Sequence, residues 1–287
     1  MRILITGKKS YVGLSLQRWL SQWTDKYIVD TIDVRTDDWK NEDFSKYDVV
    51  CHVAALVHKK ELPEMKEIYI KVNRDLTIEI AKKAKDEGIK QFIFMSSMAV
   101  YGVEGKIGEK VLITKDTIPN PNTFYGISKL EAENELINLE DKYFKVSIIR
   151  PPMVYGHRCP GNYSILRKIA LITPIFPKVN NQRSMIYINN LSEFIRLLVN
   201  NQEAGIFFPQ NSDYVSTSEM VQMIAESKGR KIYLSKALAI VIKLLARNSV
   251  LTNKVFGNLT YDTSIEMMYS NNSYCMFNLK ESIYVES

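Results

Sequence analysis

Along the first half of the chain, short runs of β-branched and aromatic residues alternate with longer stretches whose apolar positions recur every three or four residues. Arg2 to Thr6 reads as a buried strand, Tyr11 to Trp23 as a helix, Tyr27 to Asp33 as a strand, and Val49 to Val53 as another strand apolar on both faces. A long helix is predicted from Met65 to Glu87, stopped by Gly88. A strand over Gln91 to Ser97, a helix over Tyr125 to Leu139 and a strand over Lys145 to Arg150 come next. Strands regularly separated by helices pack as a parallel sheet covered on both faces, so the fold class is α/β with a doubly wound parallel sheet. After Pro151 and Pro152 the pattern loosens, and Pro160, Gly161, Pro174 and Pro177 divide the rest of the chain into shorter segments, where a second, smaller region begins.

Composition narrows this without changing it. The chain has 287 residues, enough for one large α/β domain with an appendage or for two domains. Hydrophobic residues make up 46% and charged residues 24%, which argues against disorder and against a fibrous rod. The net charge of +6 favours anionic partners, but the lysines are scattered rather than clustered with aromatics, so a nucleic-acid partner is not expected. Cys51, Cys159 and Cys275 are odd in number and lack a C-x-x-C spacing, which fits a reducing cytoplasm better than a disulfide framework or a zinc site. His52, His58 and His157 lack metal-ligand spacing, and no metal is expected. MRILITG reaches a glycine turn too soon to hold a signal-peptide apolar region. Ala237 to Ala246, interrupted by Lys243, is too short to span a membrane; it reads as a packed amphipathic helix, the alternative being a helix lying on a membrane surface.

Candidate chemistry starts after the first strand. Gly7, Ser10, Tyr11, Val12 and Gly13 form a tight strand-to-helix turn of the kind that aims backbone N–H groups and the positive helix end at a pyrophosphate. Ser10 stands where a G-x-x-G-x-x-G pattern has its middle glycine, and its hydroxyl either donates to a phosphate or pushes the cofactor away. Asp33, at the end of the second strand, is placed to accept from an adenosine ribose, which favours NAD; Arg35 could instead pair with a 2′-phosphate, which keeps NADP open. Asp38 is a candidate for the adenine edge. Tyr125 and Lys129 stack at i, i+4 on one helix face, and an ammonium there, with a cationic nicotinamide, favours phenolate. Lowering a phenol from about 10 to about 7 takes about 4 kcal/mol. Ser97, at the carboxyl end of its strand, can hydrogen-bond Tyr125 and a sugar hydroxyl, with Ser96 expected to face the other way. The plain alternative for a Y-x-x-x-K pair is a solvated helix face.

Taken together, I-T-G-x-x-S-x-V-G at Ile5 to Gly13, H-V-A-A at His52 to Ala55, Asn73, S-S-M-A-V-Y-G at Ser96 to Gly102, Y-G-I-S-K at Tyr125 to Lys129 and R-P-P-M-V-Y-G at Arg150 to Gly156 resemble the extended short-chain dehydrogenase/reductases of the nucleotide-sugar epimerase and dehydratase family. The resemblance implies a Rossmann-type dinucleotide-binding domain over 1–156 and a substrate-binding domain over 157–287, with 183–203 packing back on the first. It implies Ser97, Tyr125 and Lys129 as the catalytic set, Lys129 also holding the nicotinamide ribose, with Ala54, Ala55 and Asn73 among the cofactor residues. Dehydratases of the family carry an Asp-Glu pair directly after the catalytic Ser or Thr; Met98 and Ala99 stand there, so 4,6-dehydration is not expected. For the substrate end it implies Arg183 on a nucleotide diphosphate and Asn162 at a phosphate or sugar hydroxyl. The second diphosphate arginine has no counterpart after Arg247, Tyr261 standing in for part of it. The expected activity is C4 hydride chemistry on a nucleotide-diphosphate sugar, UDP-linked: a 4-epimerase, or alternatively a 4-keto reductase making a 6-deoxy amino sugar, or remotely a non-catalytic dinucleotide sensor. A homodimer through the helices at Met65 to Glu87 and Tyr125 to Leu139 is implied in the same way.

Overall fold

The computed structural model describes residues 1–57, 61–245, 249–265 and 274–285. His58, Ala246 and Arg247 lie outside the described residues. In chain order the regular elements are β1 (Arg2–Thr6), α1 (Tyr11–Leu20), β2 (Ile28–Ile32), β3 (Val49–His52), α2 (Lys66–Ile70), α3 (Leu76–Asp86), β4 (Gln91–Met95), β5 (Leu112–Ile113), α4 (Phe124–Leu139), β6 (Lys145–Ile149), β7 (Met153–Tyr155) and α5 (Asn162–Ile172). Then come β8 (Ile175–Pro177), β9 (Met185–Tyr187), α6 (Ile188–Asn201), β10 (Gly205–Phe207), α7 (Thr217–Ser227), β11 (Tyr233–Ser235), α8 (Lys236–Leu245), α9 (Val250–Phe256), β12 (Thr260–Tyr261) and α10 (Leu279–Tyr284).

Two compact units account for the chain. The first comprises Met1–Gly102, Ile118–Pro151 and Leu191–Pro209, and the second Val103–Thr117, Pro152–Asn190 and Gln210–Ser287. The first is built on a six-stranded sheet in the order β10-β6-β4-β3-β1-β2, parallel throughout. This is the doubly wound Rossmann-type sheet that the strand and helix pattern predicts. β3 and β4 are buried at every position, as a parallel strand covered on both faces must be. The chain runs outward from β1 to β2 and returns across β1 to β3, so the loops after β1 and β3 leave the sheet side by side at the switch in winding direction. Open α/β sheets bind ligands there. A core of Leu4, Val50, Phe92, Phe94, Val146 and Ile148 fills one face of this sheet, against Ile80 and Ala84 of α3 and Ala132 and Leu136 of α4.

The long helix differs from its sequence reading at one place. Between α2 and α3 the backbone passes through a π turn, Lys71–Asp75, which lodges Asn73 in the interior. The first helix also ends earlier than Trp23. Ser21 returns its N–H to Gln17, and Trp23 instead packs edge-on against Trp19 and Tyr27. Among the described residues, no helix is long and apolar enough to cross a membrane.

The second unit rests on two-stranded parallel pairs, β7 with β9, β8 with β11 and β12 with β5. Tyr155 lies at its centre, packed on Tyr163 and Tyr187, with its hydroxyl bonded to Ser282 and to the Asn211 amide.

Candidate active site

The loop after β1 turns on Gly7, whose φ of +93° is strained for any side chain. Both Gly7 and Lys8 donate to the Ile32 carbonyl. A Cβ on Gly7 would stand 3.1 Å from the Ala54 backbone, so the β1 and β3 loops lie in contact. Ser10 caps α1: its Oγ accepts from Gly13 N–H at 3.0 Å. The serine in the glycine turn therefore folds back onto its own helix, and its hydroxyl proton is left to donate. Tyr11 and Val12 form the first turn of α1, where N–H groups lack a carbonyl four residues earlier. A glycine cradle, a capped helix start and a neighbouring loop of small residues fit a dinucleotide pyrophosphate.

Asp33 and Arg35, one and three residues past β2, form a fork with each other: the guanidinium donates through Nε and Nη2 to both Asp33 oxygens. The Arg35 guanidinium, with its backbone N–H, holds the Asp33 carboxyl down at about 2. The two alternatives for the ribose end thus occupy one ion pair. Asp38 is exposed and accepts from Thr36. Ala54 and Ala55 line the loop after β3 and are half-buried. Asn73 stands behind that loop: its Oδ1 accepts from Leu56 N–H at 2.7 Å, and its amide donates to the Leu56 carbonyl and to Ser128 Oγ. With no exposed surface of its own, it anchors the loop and ties it to α4.

Strand β4 stops at Met95, before the two serines that the sequence pattern includes in it. Ser96 donates to Glu133 in the interior. Ser97 faces the other way and caps a short 3-10 turn, Met98–Tyr101, by accepting from Ala99 N–H. α4 arrives against this turn so closely that a Cβ on Gly126 would lie 2.6 Å from the Ala99 carbonyl, which is why glycine follows Tyr125. That approach brings the Tyr125 hydroxyl beside Ser97, near enough for the serine hydroxyl to act on its ionisation. The start of α4 is fully capped: Thr123 Oγ1 accepts from Gly126, and the two Glu61 oxygens accept from Phe124 at 2.8 Å and Tyr125 at 3.0 Å.

The electrostatics depart from the sequence expectation. Burial pushes the Tyr125 phenol up to about 12, more than the neighbouring Ser97 hydroxyl pulls it down. Lys129 is 1% exposed, and its ammonium donates to the Met95 carbonyl at 2.7 Å and lies 4.4 Å from the Phe94 ring centre. Burial brings it down to about 7, and Glu133, one turn further along α4, acts in the opposite direction. Desolvation dominates the shift of both heads, and neither group is among the causes of the other's shift. Glu133 is itself fully buried and forked by Arg150, whose other arm donates to the Tyr101 hydroxyl.

In the second unit, Arg183 bridges Val215 and Leu259 through its backbone, and its Nη1 donates to the Gly257 carbonyl at 3.0 Å. Its guanidinium is held below its usual range by burial, and among the described residues no carboxylate pairs with it. Tyr261 is fully buried on β12; its N–H donates to Ser184 Oγ and its carbonyl accepts from the Tyr214 hydroxyl. That puts its phenol in the core. Asn162 is exposed at the first position of α5 and makes no hydrogen bond to either.

The profile of the NAD dependent epimerase/dehydratase family matches residues 3–207, most of the chain. The chain belongs to this family. It is 33% identical over 246 residues to a UDP-glucose 4-epimerase of Vibrio cholerae, covering 78% of this chain and 74% of that protein. Over 209 residues it is 29% identical to an N-acetyl-alpha-D-glucosaminyl-diphospho-ditrans,octacis-undecaprenol 4-epimerase of Escherichia coli O157:H7, covering 70% of this chain and 60% of that one. A solved UDP-glucuronic acid 4-epimerase from Bacillus cereus in complex with NAD superposes with a TM-score of 0.74 at 19% identity, over 100% of this chain and 95% of that one, and shares the fold.

As an NAD-dependent epimerase/dehydratase of the extended short-chain dehydrogenase/reductase type, the chain is an enzyme that uses a nicotinamide dinucleotide. Two supports of its site were not singled out from the sequence. Glu61 reaches α4 from more than sixty residues away, and no spacing announces it. Glu133 did carry a signal, since 125, 129 and 133 form an unbroken i, i+4 ladder on one helix face.

Proposed function

We propose that this enzyme is a UDP-hexose 4-epimerase, in which the first unit holds NAD and the second contributes the nucleotide-diphosphate sugar contacts. The observation that carries the reading is the Tyr125 hydroxyl beside Ser97, with Lys129 one turn along α4 and Met98 and Ala99 directly after the serine. Neither of those two side chains can move a proton, so chemistry that needs a second acid-base pair beside the serine is left without its groups. The similarity to the Vibrio cholerae UDP-glucose 4-epimerase supports the choice of sugar position.

In this reading Gly7, Ser10, Tyr11, Val12 and Gly13 hold the pyrophosphate, Asp33 with Arg35 and Asp38 the adenosine end, Ala54 and Ala55 the middle, and Lys129 the nicotinamide ribose. When bound, the nicotinamide supplies a two-electron acceptor and returns the same electrons. Tyr125 takes the proton from the sugar O4 as the C4–H bond breaks, and returns it after the 4-keto sugar has turned over. Ser97 orients that proton by bonding both oxygens. A phenol held at about 12 must gain about 7 kcal/mol of favourable interaction to ionise at pH 7, and two cations, the Lys129 ammonium and the nicotinamide ring, have to provide it. Arg183, already short of a carboxylate, takes the diphosphate, with Asn162 placing the remainder, while Tyr261, expected from the sequence to help, has its phenol in the core and takes no part. A homodimer through α2, α3 and α4 would cover the exposed Ile68 and Ile137 on those helices.

The test is redox accounting. Purified enzyme given a UDP-hexose should interconvert the C4 epimers with no added nicotinamide, and mass spectrometry of the denatured protein should release NAD. Stoichiometric loss of NADPH against a 4-keto sugar would replace this reading with the reductase.

A further inference from the structure

The lysines are spread along the whole chain, but two stretches carry no acid to offset them. Residues 162–178 carry Arg167, Lys168 and Lys178, and residues 227–245 carry Lys228, Arg230, Lys231, Lys236 and Lys243, with no aspartate or glutamate in either stretch. Eight positive charges therefore sit on 36 residues, against +6 for the whole chain, and the remainder of the molecule is net acidic. All but Arg167 are exposed, and none of the eight is paired with a carboxylate among the described residues.

The same two stretches expose large apolar side chains. They build α5, β8, β11 and α8; β8 pairs with β11, α8 packs on β8, and α5 leads directly into β8. On α8 the residues at 237, 240, 241 and 244 share one face by their i, i+3, i+4, i+7 spacing, and that face points outward. Ile240, Val241 and Leu244 stand on it, Leu244 75% exposed, and Lys236 and Lys243 run along one border. Ile172 on α5 and Tyr233 on β11 are each 73% exposed. A helix with its apolar face in water and lysines beside it has the pattern of helices that lie in the headgroup layer of a bilayer. Charge decides the occupant. A second copy meeting this patch face to face would set eight cations against eight, whereas an anionic lipid surface neutralises them and receives the apolar side chains.

We propose that α5, β8, β11 and α8 form a docking surface for anionic phospholipid bilayers, with the apolar stripe of α8 inserted among the headgroups. The proposal is independent of which sugar the enzyme turns over. It is tested with the full-length protein and sedimented vesicles of phosphatidylcholine alone or mixed equally with phosphatidylglycerol. The mixed vesicles should bind at least about tenfold more protein at low salt, and binding should fall as salt shortens the screening length. The double variant Ile240→Asp/Leu244→Asp and the charge reversal Lys236→Glu/Lys243→Glu, all at exposed positions, should each weaken binding at least about tenfold while leaving the circular dichroism spectrum and NAD binding unchanged. Equal binding to the two vesicle types, or binding untouched by both variants, would overturn the proposal. So would a change of molar mass in sedimentation velocity on mutating the patch of a protein that ignores vesicles, which would make this face a contact between protein chains.

Discussion

Replacing Glu133 by alanine tests what holds the catalytic helix to the sheet. The carboxylate is fully buried and accepts from Ser96 and from Arg150 Nε and Nη2, the last at 2.5 Å. Truncation takes the carboxylate away from the Arg150 guanidinium, whose side chain is 7% exposed and which also donates to the Tyr101 hydroxyl. Breaking a buried pair from one side costs about 3–5 kcal/mol, a large part of the 5–15 kcal/mol that keeps such a protein folded. Urea denaturation followed by circular dichroism should show that loss. Adding Arg150→Met to Glu133→Ala should recover at least about 1 kcal/mol, because the second change removes the stranded charge. The milder Glu133→Gln should also pull Lys129 further below about 7, since the Glu133 charge favours its ammonium. A loss under about 1 kcal/mol for Glu133→Ala, or strict additivity in the double variant, would refute the view that this pair is a buried, mutually dependent unit.

Three other substitutions have outcomes set by the geometry. Gly7→Ala forces a side chain into φ +93° and to 3.1 Å from the Ala54 backbone, so NAD affinity by calorimetry should fall at least about tenfold, with the far-ultraviolet spectrum kept. His52, buried between the Thr6 and Thr77 hydroxyls, is pulled down to about 3 from 6.5, so the unfolded chain takes its proton first. Its contribution is complete above pH 6.5 and is lost as pH falls toward 3. The wild type should lose about 2 kcal/mol between pH 7.5 and pH 5 relative to His52→Asn, measured by urea midpoints. Glu61→Ala strips two acceptors from the start of α4, which should cost about 1–2 kcal/mol in urea and lower kcat while leaving KM within about threefold, since the cap steadies the backbone of Tyr125 rather than touching sugar.

The central sheet was legible because parallel strands covered on both faces leave uninterrupted apolar runs. Arg2 to Thr6 is strand from end to end, and Gln91 to Met95 is buried throughout. Helix ends were less legible, since Trp23 continues the apolar period of α1 while its ring packs outside the helix. The π turn at Lys71–Asp75 keeps the helical period well enough to hide in it. β5, β7 to β9 and β10 to β12 are three residues or fewer, and the partner of β5, at 260–261, lies nearly 150 residues away, so no local pattern predicts them. At the site, residue spacing placed Tyr125 and Lys129 on one face, but the direction of the phenol's shift depends on the protein packed around it, which spacing does not encode.

One hydroxyl decides the mechanism. Tyr125→Phe removes the Tyr125 oxygen and little else, so NAD should bind within about threefold of wild type by calorimetry while C4 epimerisation of UDP-hexose falls at least about a hundredfold, within the range that positioned acid-base groups contribute. Full turnover in that variant with NAD binding intact would contradict the assignment of proton transfer to Tyr125 and, with it, the proposed mechanism.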